Sequence, residues 1–370
     1  MDIARSFSFS GVDLFTDEND TYFDSFSGED YPSLDFDARP CILEIDDNWI
    51  NTALAVVYSL VCFLAVTGNM VVMVVLLYNR RIMSSTDIYL LHLAVADLLF
   101  AVTLPFWAVD ATSGWVFGDA MCKIISLLQE VNFYSGILFL ACISVDRYLS
   151  IVYSAQTCWK KQFVTKLVCV AVWVLAILLS LPILYKGEYT PAGINTTICY
   201  EILSVEPAEP WRVFTRFWWK LIMFLVPLAV MIFCYSAVIW RLCQTRGFQK
   251  QKAMKVIIAV VLAFLICWLP HNITVFIDTL MRSKYIRETC DRRHHVDRAL
   301  TATQTLGFLH CCINPILYAF IGVKFRWMVI NLLAAIGIVK PSEESRFGIS
   351  VCPCPESGLT SIPQICLQYT

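Results

Sequence analysis

The hydrophobic and polar positions of this chain fall into seven long apolar runs separated by short polar stretches. They begin near Trp49, Asp87, Ala120, Phe163, Thr215, Ala253 and Arg298. The first, from Asn48 to Asn79, holds about 30 residues without a charge, and about 20 suffice to cross a bilayer as a helix. Backbone polar groups cannot go unpaired in hydrocarbon, so each run is predicted to be a helix. The fold class expected is an all-α membrane protein: a seven-transmembrane helix bundle with a short cytoplasmic amphipathic eighth helix. Such a bundle has two faces, and can pass a signal, a solute or an ion between them.

Composition agrees. The 370 residues are 58% hydrophobic and 16% charged, against roughly 25% charged in soluble domains. Seven spans and their loops use most of the length, so one membrane domain is expected, over residues 48–322. No cleavable signal peptide is evident, because the first 40 residues have no basic start or short apolar core. The net charge of −2 says less than its distribution. Arg80 and Arg81, then Lys160, Lys161 and Lys166, then Arg241, Arg246, Lys250, Lys252 and Lys255 fall after spans one, three and five. Those loops share one side, which the positive-inside bias makes cytoplasmic. The N-terminus is then extracellular and the last tail internal, in the plasma membrane. The connection between spans six and seven runs against the bias, with Arg282, Lys284, Arg287, Arg292, Arg293 and Arg298 outside. Two readings stay open there: a surface for an acidic partner, or a solvated loop offset by Glu288, Asp291 and Asp297.

Residues 1–47 read as an acidic extracellular tail; the first 40 contain ten acids and two bases. Such a segment cannot bury enough apolar surface to fold alone. Asn19-Asp20-Thr21 and Asn195-Thr196-Thr197 are N-glycosylation acceptors on the outer side. Asn272-Ile273-Thr274 also matches but lies within span six and is set aside. Tyr22 and Tyr31 sit among acids and are sulfation candidates. Residues 323–336, with Lys324, Phe325, Arg326 and Trp327, suggest a helix lying on the membrane surface. Residues 337–370 form a Pro/Ser/Cys-rich cytoplasmic tail expected to be disordered, where Cys352, Cys354 and Cys366 are palmitoylation candidates. Of the 16 cysteines, Cys62, Cys142, Cys169, Cys234 and Cys267 read as small apolar fillers. Cys41, Cys122, Cys199 and Cys290 lie in or beside outer segments, where disulfides form. Four cysteines allow three pairings, and sequence alone does not choose.

Polar groups inside a membrane are costly and usually functional. Asn69, Asp97, Asn132 and Asn314 lie in spans one, two, three and seven. Asp146-Arg147-Tyr148 closes span three at the cytoplasmic side. Cys267-Trp268-Leu269-Pro270 and Asn314-Pro315-Ile316-Leu317-Tyr318 put prolines inside spans six and seven, where each removes a backbone hydrogen bond. With Gly68-Asn69 and Leu93-Ala94-Val95-Ala96-Asp97, these motifs, in order and each on its own helix, resemble the rhodopsin-like G-protein-coupled receptors over about residues 40–335. Thr103-Leu104-Pro105, Cys41 and Cys290 are similar to the chemokine receptors. Glu130 to Gly136, Asp278 to Arg282, Glu288-Thr289-Cys290 and Asp297 to Leu300 resemble the CXC-chemokine receptors of the interleukin-8 group. Leu104 to Ala111 reads more like the CXC receptor for stromal-derived factor.

The resemblance implies disulfides Cys122–Cys199 and Cys41–Cys290. It implies a basic CXC chemokine as ligand, gripped by the acidic tail before its N-terminus enters the bundle. Arg212, Arg216 and Arg282 would meet the ligand's carboxylate, Asp278 and Asp297 its arginine, with Trp107, Asp110 and Gln304 around the pocket. Gln304 stands where many chemokine receptors have glutamate, and His271 where tyrosine is usual. Asp146, Arg147, Tyr148, Tyr235, Trp268, Pro270, Asn314, Pro315 and Tyr318 would form the activation switch. Arg147 is expected to pair with Asp146 in the inactive state, and Lys250 cannot supply the acid that locks it in some receptors. Asp97, Asn132 and Asn314 are candidates for an allosteric sodium site, the alternative being a hydrogen-bond network without an ion; no other cofactor is implied. The implied partners are an inhibitory-type heterotrimeric G protein, arrestin, receptor kinases and membrane lipid, with no nucleic acid. A decoy that binds chemokine without G-protein signalling is the competing expectation, and the intact Asp146-Arg147-Tyr148 argues against it. No internal repeat with paired broken helices points to a transporter. No Ser/His, metal or paired-carboxylate arrangement points to an enzyme.

Overall fold

The computed structural model describes residues 48–80, 83–152, 158–190, 196–201, 210–244, 248–282, 285–286, 289–321, 323–337, 350–351 and 365–366. Asn19, Tyr22, Tyr31, Cys41 and Asn195 lie outside them, as do the side chains of Arg212, Arg216, Lys250 and Arg282. The helices are α1 (Asn48–Tyr78), α2 (Ser85–Ala101), α3 (Leu104–Ser113), α4 (Gly118–Val152), α5 (Cys158–Ser180), α6 (Pro210–Gln244), α7 (Phe248–Arg282), α8 (Cys290–Phe308), α9 (His310–Ile321) and α10 (Val323–Ala335). The seven spans correspond to α1, α2 with α3, α4, α5, α6, α7, and α8 with α9. Six are long and apolar enough to cross a membrane by themselves. The seventh is split at Leu309 and opens on the polar sequence of α8.

Local chemistry sets where these helices start and bend. Ser84 and Asp87 form a capping box, with Ser84 N–H donating to Asp87 Oδ2 at 2.7 Å, so α2 begins at Ser85. Thr103 and Pro105 explain the break between α2 and α3. Pro105 has no N–H to give the turn behind it, while Thr103 Oγ1 donates to Phe100 O at 2.6 Å. Span seven starts at Cys290, eight residues before the expected Arg298, because the Thr289 hydroxyl caps it by accepting from Arg292 N–H. Much of the expected basic outer loop is therefore helix, and Arg292, Arg293 and Arg298 have fixed positions on it.

The hydropathy pattern did not foresee two four-residue strands. β1 (Lys186–Tyr189) pairs antiparallel with β2 (Ile198–Glu201), Glu188 opposite Cys199. Both strands are too short for alternation to stand out. A disulfide joins Cys199 to Cys122 on α4, with Cα atoms 5.5 Å apart. Asp119 Oδ1 accepts from Glu188 N–H at 3.1 Å beside it. The hairpin is thus fastened over the outer end of α4. A second two-residue pair, β3 (Ser350–Val351) with β4 (Ile365–Cys366), lies in the tail.

Two apolar clusters fill the bundle. The larger is built around Leu93, Phe133, Phe139, Phe224, Phe264 and Trp268, the outer one around Tyr58, Phe100, Trp107, Trp115 and Phe308. Large apolar side chains such as Leu60, Phe63 and Leu64 on α1 and Phe163, Leu167 and Val170 on α5 point outward. In water that would be costly; in a bilayer it is the lipid face. The α10 helix lies where an eighth membrane-surface helix was expected, with Phe325, Trp327 and Met328 against the larger cluster. Gly68 permits the close approach of α1 to α9, since a Cβ there would stand 2.9 Å from Pro315 Cβ. Gly68→Ala is expected to destabilise the bundle by about 1–3 kcal/mol, read as a lower melting midpoint in detergent.

Candidate functional site

The functional side chains lie in a column from the outer mouth to the cytoplasmic end. At the mouth, Arg293 on α8 forms a buried ion cluster. Its Nη1 lies 2.7 Å from Asp278 Oδ1 on α7, and its Nη2 lies 2.9 Å from Asp297 Oδ1 one turn along α8. Nε also donates to Asp297 Oδ2 at 3.3 Å. Removing one member of such a buried pair typically costs about 3–5 kcal/mol. Sequence reading assigned Asp278 and Asp297 to a ligand and left Arg293 among loop charges. Both carboxylates lie beside Arg293. The signal was present: positions 293 and 297 are one helical turn apart, provided the helix starts at Cys290. Cys290 itself is disulfide-bonded.

Trp107 was expected on a pocket wall, but it is fully buried and packs on Trp115 at 5.5 Å between ring centres. The break before α3 turns it into the outer core. Asp110 and Gln304 are also buried. A small cleft further in is lined by Gln129, Glu130, Phe133, Trp268, His271 and Asn272. Gln129 Oε1 and Trp268 Nε1 are buried without hydrogen-bond partners, leaving polar positions for water or a ligand group. Asn272, the discarded glycosylation position, is buried and donates to Trp268 O at 2.9 Å.

Trp268 is held edge-on to Phe133 at 4.7 Å and beside His310 at 5.4 Å. A Cβ on Gly307 would meet the Trp268 ring at 3.2 Å, so α8 presses against it only because that position is glycine. Pro270 lies within α7, and Thr274 Oγ1 donates to its carbonyl at 2.9 Å. The tryptophan therefore sits two residues before the proline at which α7 loses a backbone hydrogen bond.

Below it, Asp97 is fully buried. Asn314 Nδ2 donates to Asp97 Oδ2 at 2.9 Å and Asn132 Nδ2 to Oδ1 at 3.3 Å. His310 Nε2 stands 3.6 Å from Oδ1, while its Nδ1 donates to Gly307 O at 2.6 Å. Asn69 Nδ2 donates to Cys311 O at 2.8 Å and joins α1 to the same node. His310 was missed, although it precedes Asn314 by four residues and so shares its helix face. Each Asp97 oxygen accepts one amide N–H and keeps a further lone pair, and Asn132 Oδ1 is a buried oxygen without a hydrogen-bond partner. The arrangement is a hydrogen-bond network joining four helices. Among the described residues no group of three or more His, Cys, Asp or Glu side chains is placed to hold a metal.

At the cytoplasmic end, Thr86 stands between the two charges of the Asp146-Arg147 pair. Its hydroxyl donates to Asp146 Oδ2 at 3.0 Å and accepts from Arg147 Nη2. Sequence reading did not single out Thr86. Ser144 Oγ donates to Tyr235 OH at 2.8 Å, and the Tyr318 hydroxyl is buried without a partner, its ring near Phe325. Tyr148 packs on Phe233 of α6.

For a hydrogen-bond network without an ion, the melting midpoint in detergent is expected to be the same in NaCl and KCl of equal ionic strength. A rise specific to sodium that Asp97→Asn abolishes would show that the network opens to coordinate the ion.

The match to known proteins covers this whole column. Residues 68–318 match the family model described as 7 transmembrane receptor (rhodopsin family). The chain is 46% identical over 337 residues to the C-X-C chemokine receptor type 2 of Homo sapiens, covering 88% of this chain and 92% of that one. It is 50% identical over 321 residues to the type 1 receptor of Pongo pygmaeus, covering 86% and 90%. It is 48% identical over 332 residues to the type 2 receptor of Mus musculus, covering 90% and 91%. With the outer ion cluster, the Trp268–Asp97 column and the Asp146-Arg147-Tyr148 end all within the matched span, the chain belongs to the rhodopsin family of seven-transmembrane receptors, and within it to the C-X-C chemokine receptors.

Proposed function

We propose that this protein is a plasma-membrane receptor for basic CXC chemokines of the interleukin-8 type. It signals through an inhibitory-type G protein to calcium release and leukocyte chemotaxis. One observation carries the reading: the bundle holds a buried charge cluster at the outer mouth, the linked Trp268, His310 and Asp97 in its middle, and the Thr86–Asp146–Arg147 cluster at the inner end. A protein that only captured chemokine would have no use for the inner half.

The tail of residues 1–47 supplies long-range attraction to a basic ligand, which raises the rate of encounter more than it sets affinity. Sulfation of Tyr22 and Tyr31 would add to it, glycans on Asn19 and Asn195 would border it, and a Cys41–Cys290 disulfide would pin it to α8. Arg212, Arg216 and Arg282 then receive the ligand's carboxylate, and Asp278 its arginine, above Asp110 and Gln304. Within the receptor domain of residues 48–322, Trp268 and the Pro270 bend couple that event to α7. Outward movement of α7 releases Arg147 from Thr86 and lets Tyr235 and Tyr318 approach it. Helix 323–336 rests on membrane lipid, and the serines and threonines of the 337–370 tail serve receptor kinases and arrestin. Asp97, Asn132 and Asn314 act as a hydrogen-bond network.

Cells expressing the chain are expected to show calcium flux and lowered cyclic AMP with interleukin-8-type chemokines, and Arg147→Ala is expected to abolish both. Tight chemokine binding without either response would favour the decoy reading. Thr86→Val removes the hydroxyl that bridges Asp146 and Arg147, so it is expected to raise ligand-independent suppression of cyclic AMP several-fold, about the effect of one lost hydrogen bond to a charged group. Unchanged basal activity at equal surface level would show that Thr86 does not restrain Arg147.

A further inference from the structure

The first turn of α8 carries a second pair of ionisable side chains, which the proposed function has not used. His295 Nε2 lies 3.4 Å from Asp291 Oδ1, four residues and one helical turn away. The two side chains are 71% and 87% exposed, so both are open to the extracellular side without any change in the bundle. Their backbone is held: the Thr289 hydroxyl caps the helix and Cys290 is disulfide-bonded. Arg293, within the same turn, is buried and lies beside Asp278 of α7.

The spacing of the pair discriminates between two readings. A charge-assisted N–H···O bond is about 2.7–2.9 Å long, and 3.4 Å is long for one. An exposed ion pair at that distance adds little to stability. A tetrahedral zinc ion binds imidazole nitrogen and carboxylate oxygen at about 2.0–2.2 Å, which sets two of its ligand atoms about 3.3–3.5 Å apart. Nε2 and Oδ1 thus stand at the separation of one edge of a zinc tetrahedron. Two ligands at i and i+4 are also the spacing by which a single helix presents two groups to zinc from one face.

We propose that Asp291 and His295 form an extracellular site for a divalent transition-metal ion of the zinc type, with water in its remaining positions. One imidazole and one carboxylate suit zinc, whereas calcium and magnesium call for more oxygen ligands in a larger or octahedral shell. The helix N-terminus opposes a cation, but that effect is modest and screened at an exposed site. Occupancy has two consequences. It ties position 291 to position 295 and so stiffens the turn that carries Arg293. It also replaces the single negative charge of Asp291 by a net positive one at the outer mouth. A basic ligand then meets repulsion there, which slows its encounter. This second consequence rests on the chemokine reading above; the site does not.

The test follows amide hydrogen exchange of residues 290–298 in the purified full chain, with added zinc and with magnesium at equal concentration as control. Zinc is expected to slow exchange over this turn about fivefold or more, by suppressing its local opening, and magnesium to leave it unchanged. His295→Gln and Asp291→Asn each remove one ligand from an exposed position and are expected to abolish the slowing. No slowing in the wild type, or slowing that either variant keeps, would overturn the site. A second arm measures association of an interleukin-8-type chemokine at low ionic strength. Zinc is expected to slow it several-fold in the wild type and not in His295→Gln. Unchanged association in a chain whose exchange zinc does slow would overturn the charge effect while the site stands. A chain that binds no chemokine would sink the chemokine reading alone, because the exchange arm uses no chemokine.

Discussion

In hydrocarbon, a backbone N–H or C=O without a partner costs several kcal/mol, and no water is present to supply one. That constraint requires each apolar run to close its hydrogen bonds within itself, so the chain becomes a bundle of long helices. It also makes every departure from a plain helix informative. The departures are few and each has a local cause. Thr103 and Pro105 divide α2 from α3, Pro270 interrupts α7, Pro315 lies within α9, and the α8–α9 junction falls at Leu309. These breaks concentrate on the helices that carry the outer cluster, Trp268 and the Asp97 network. Pro227 also lies within α6, and α1 and α5 turn apolar side chains to lipid.

Polar side chains inside the bundle meet the same constraint by pairing with one another. Arg293 takes two carboxylates, Asp97 two amides, and Thr86 an acid and a base. The outer cluster joins α7 with α8, the middle one α2 with α4 and α9, and the inner one α2 with α4. The outer cluster ties α8 to α7, the helix that carries Trp268 and Pro270. Trp268 packs on His310, which stands beside Asp97, so displacement of α7 bears directly on the network below.

Most of the architecture was legible in the sequence, because membrane helices announce themselves by length and apolarity alone. Pattern reading failed where structure depends on hydrogen bonds rather than on hydropathy. The β1–β2 hairpin is too short to alternate. The start of α8 rests on the Thr289 cap, and placing it at Arg298 left Arg293 in a loop, where its pairing with Asp278 and Asp297 was invisible. Trp107 is placed at the pocket by the resemblance alone, and in the structure it is buried against Trp115. His310 and Thr86 belong to clusters whose other members were found. Helical spacing from Asn314 points to His310. Nothing in the sequence points to Thr86, because it meets Arg147 only through the packing of α2 on α4.

We propose that outer chemokine recognition is transmitted through one bundle to a G protein. The most direct measurement uses the full chain reconstituted in lipid with a purified inhibitory-type G protein, following exchange of a labelled GTP analogue. Addition of an interleukin-8-type chemokine is predicted to accelerate exchange, with no other cellular component present. Saturable binding of the chemokine to the same preparation, with exchange unchanged, would contradict the account.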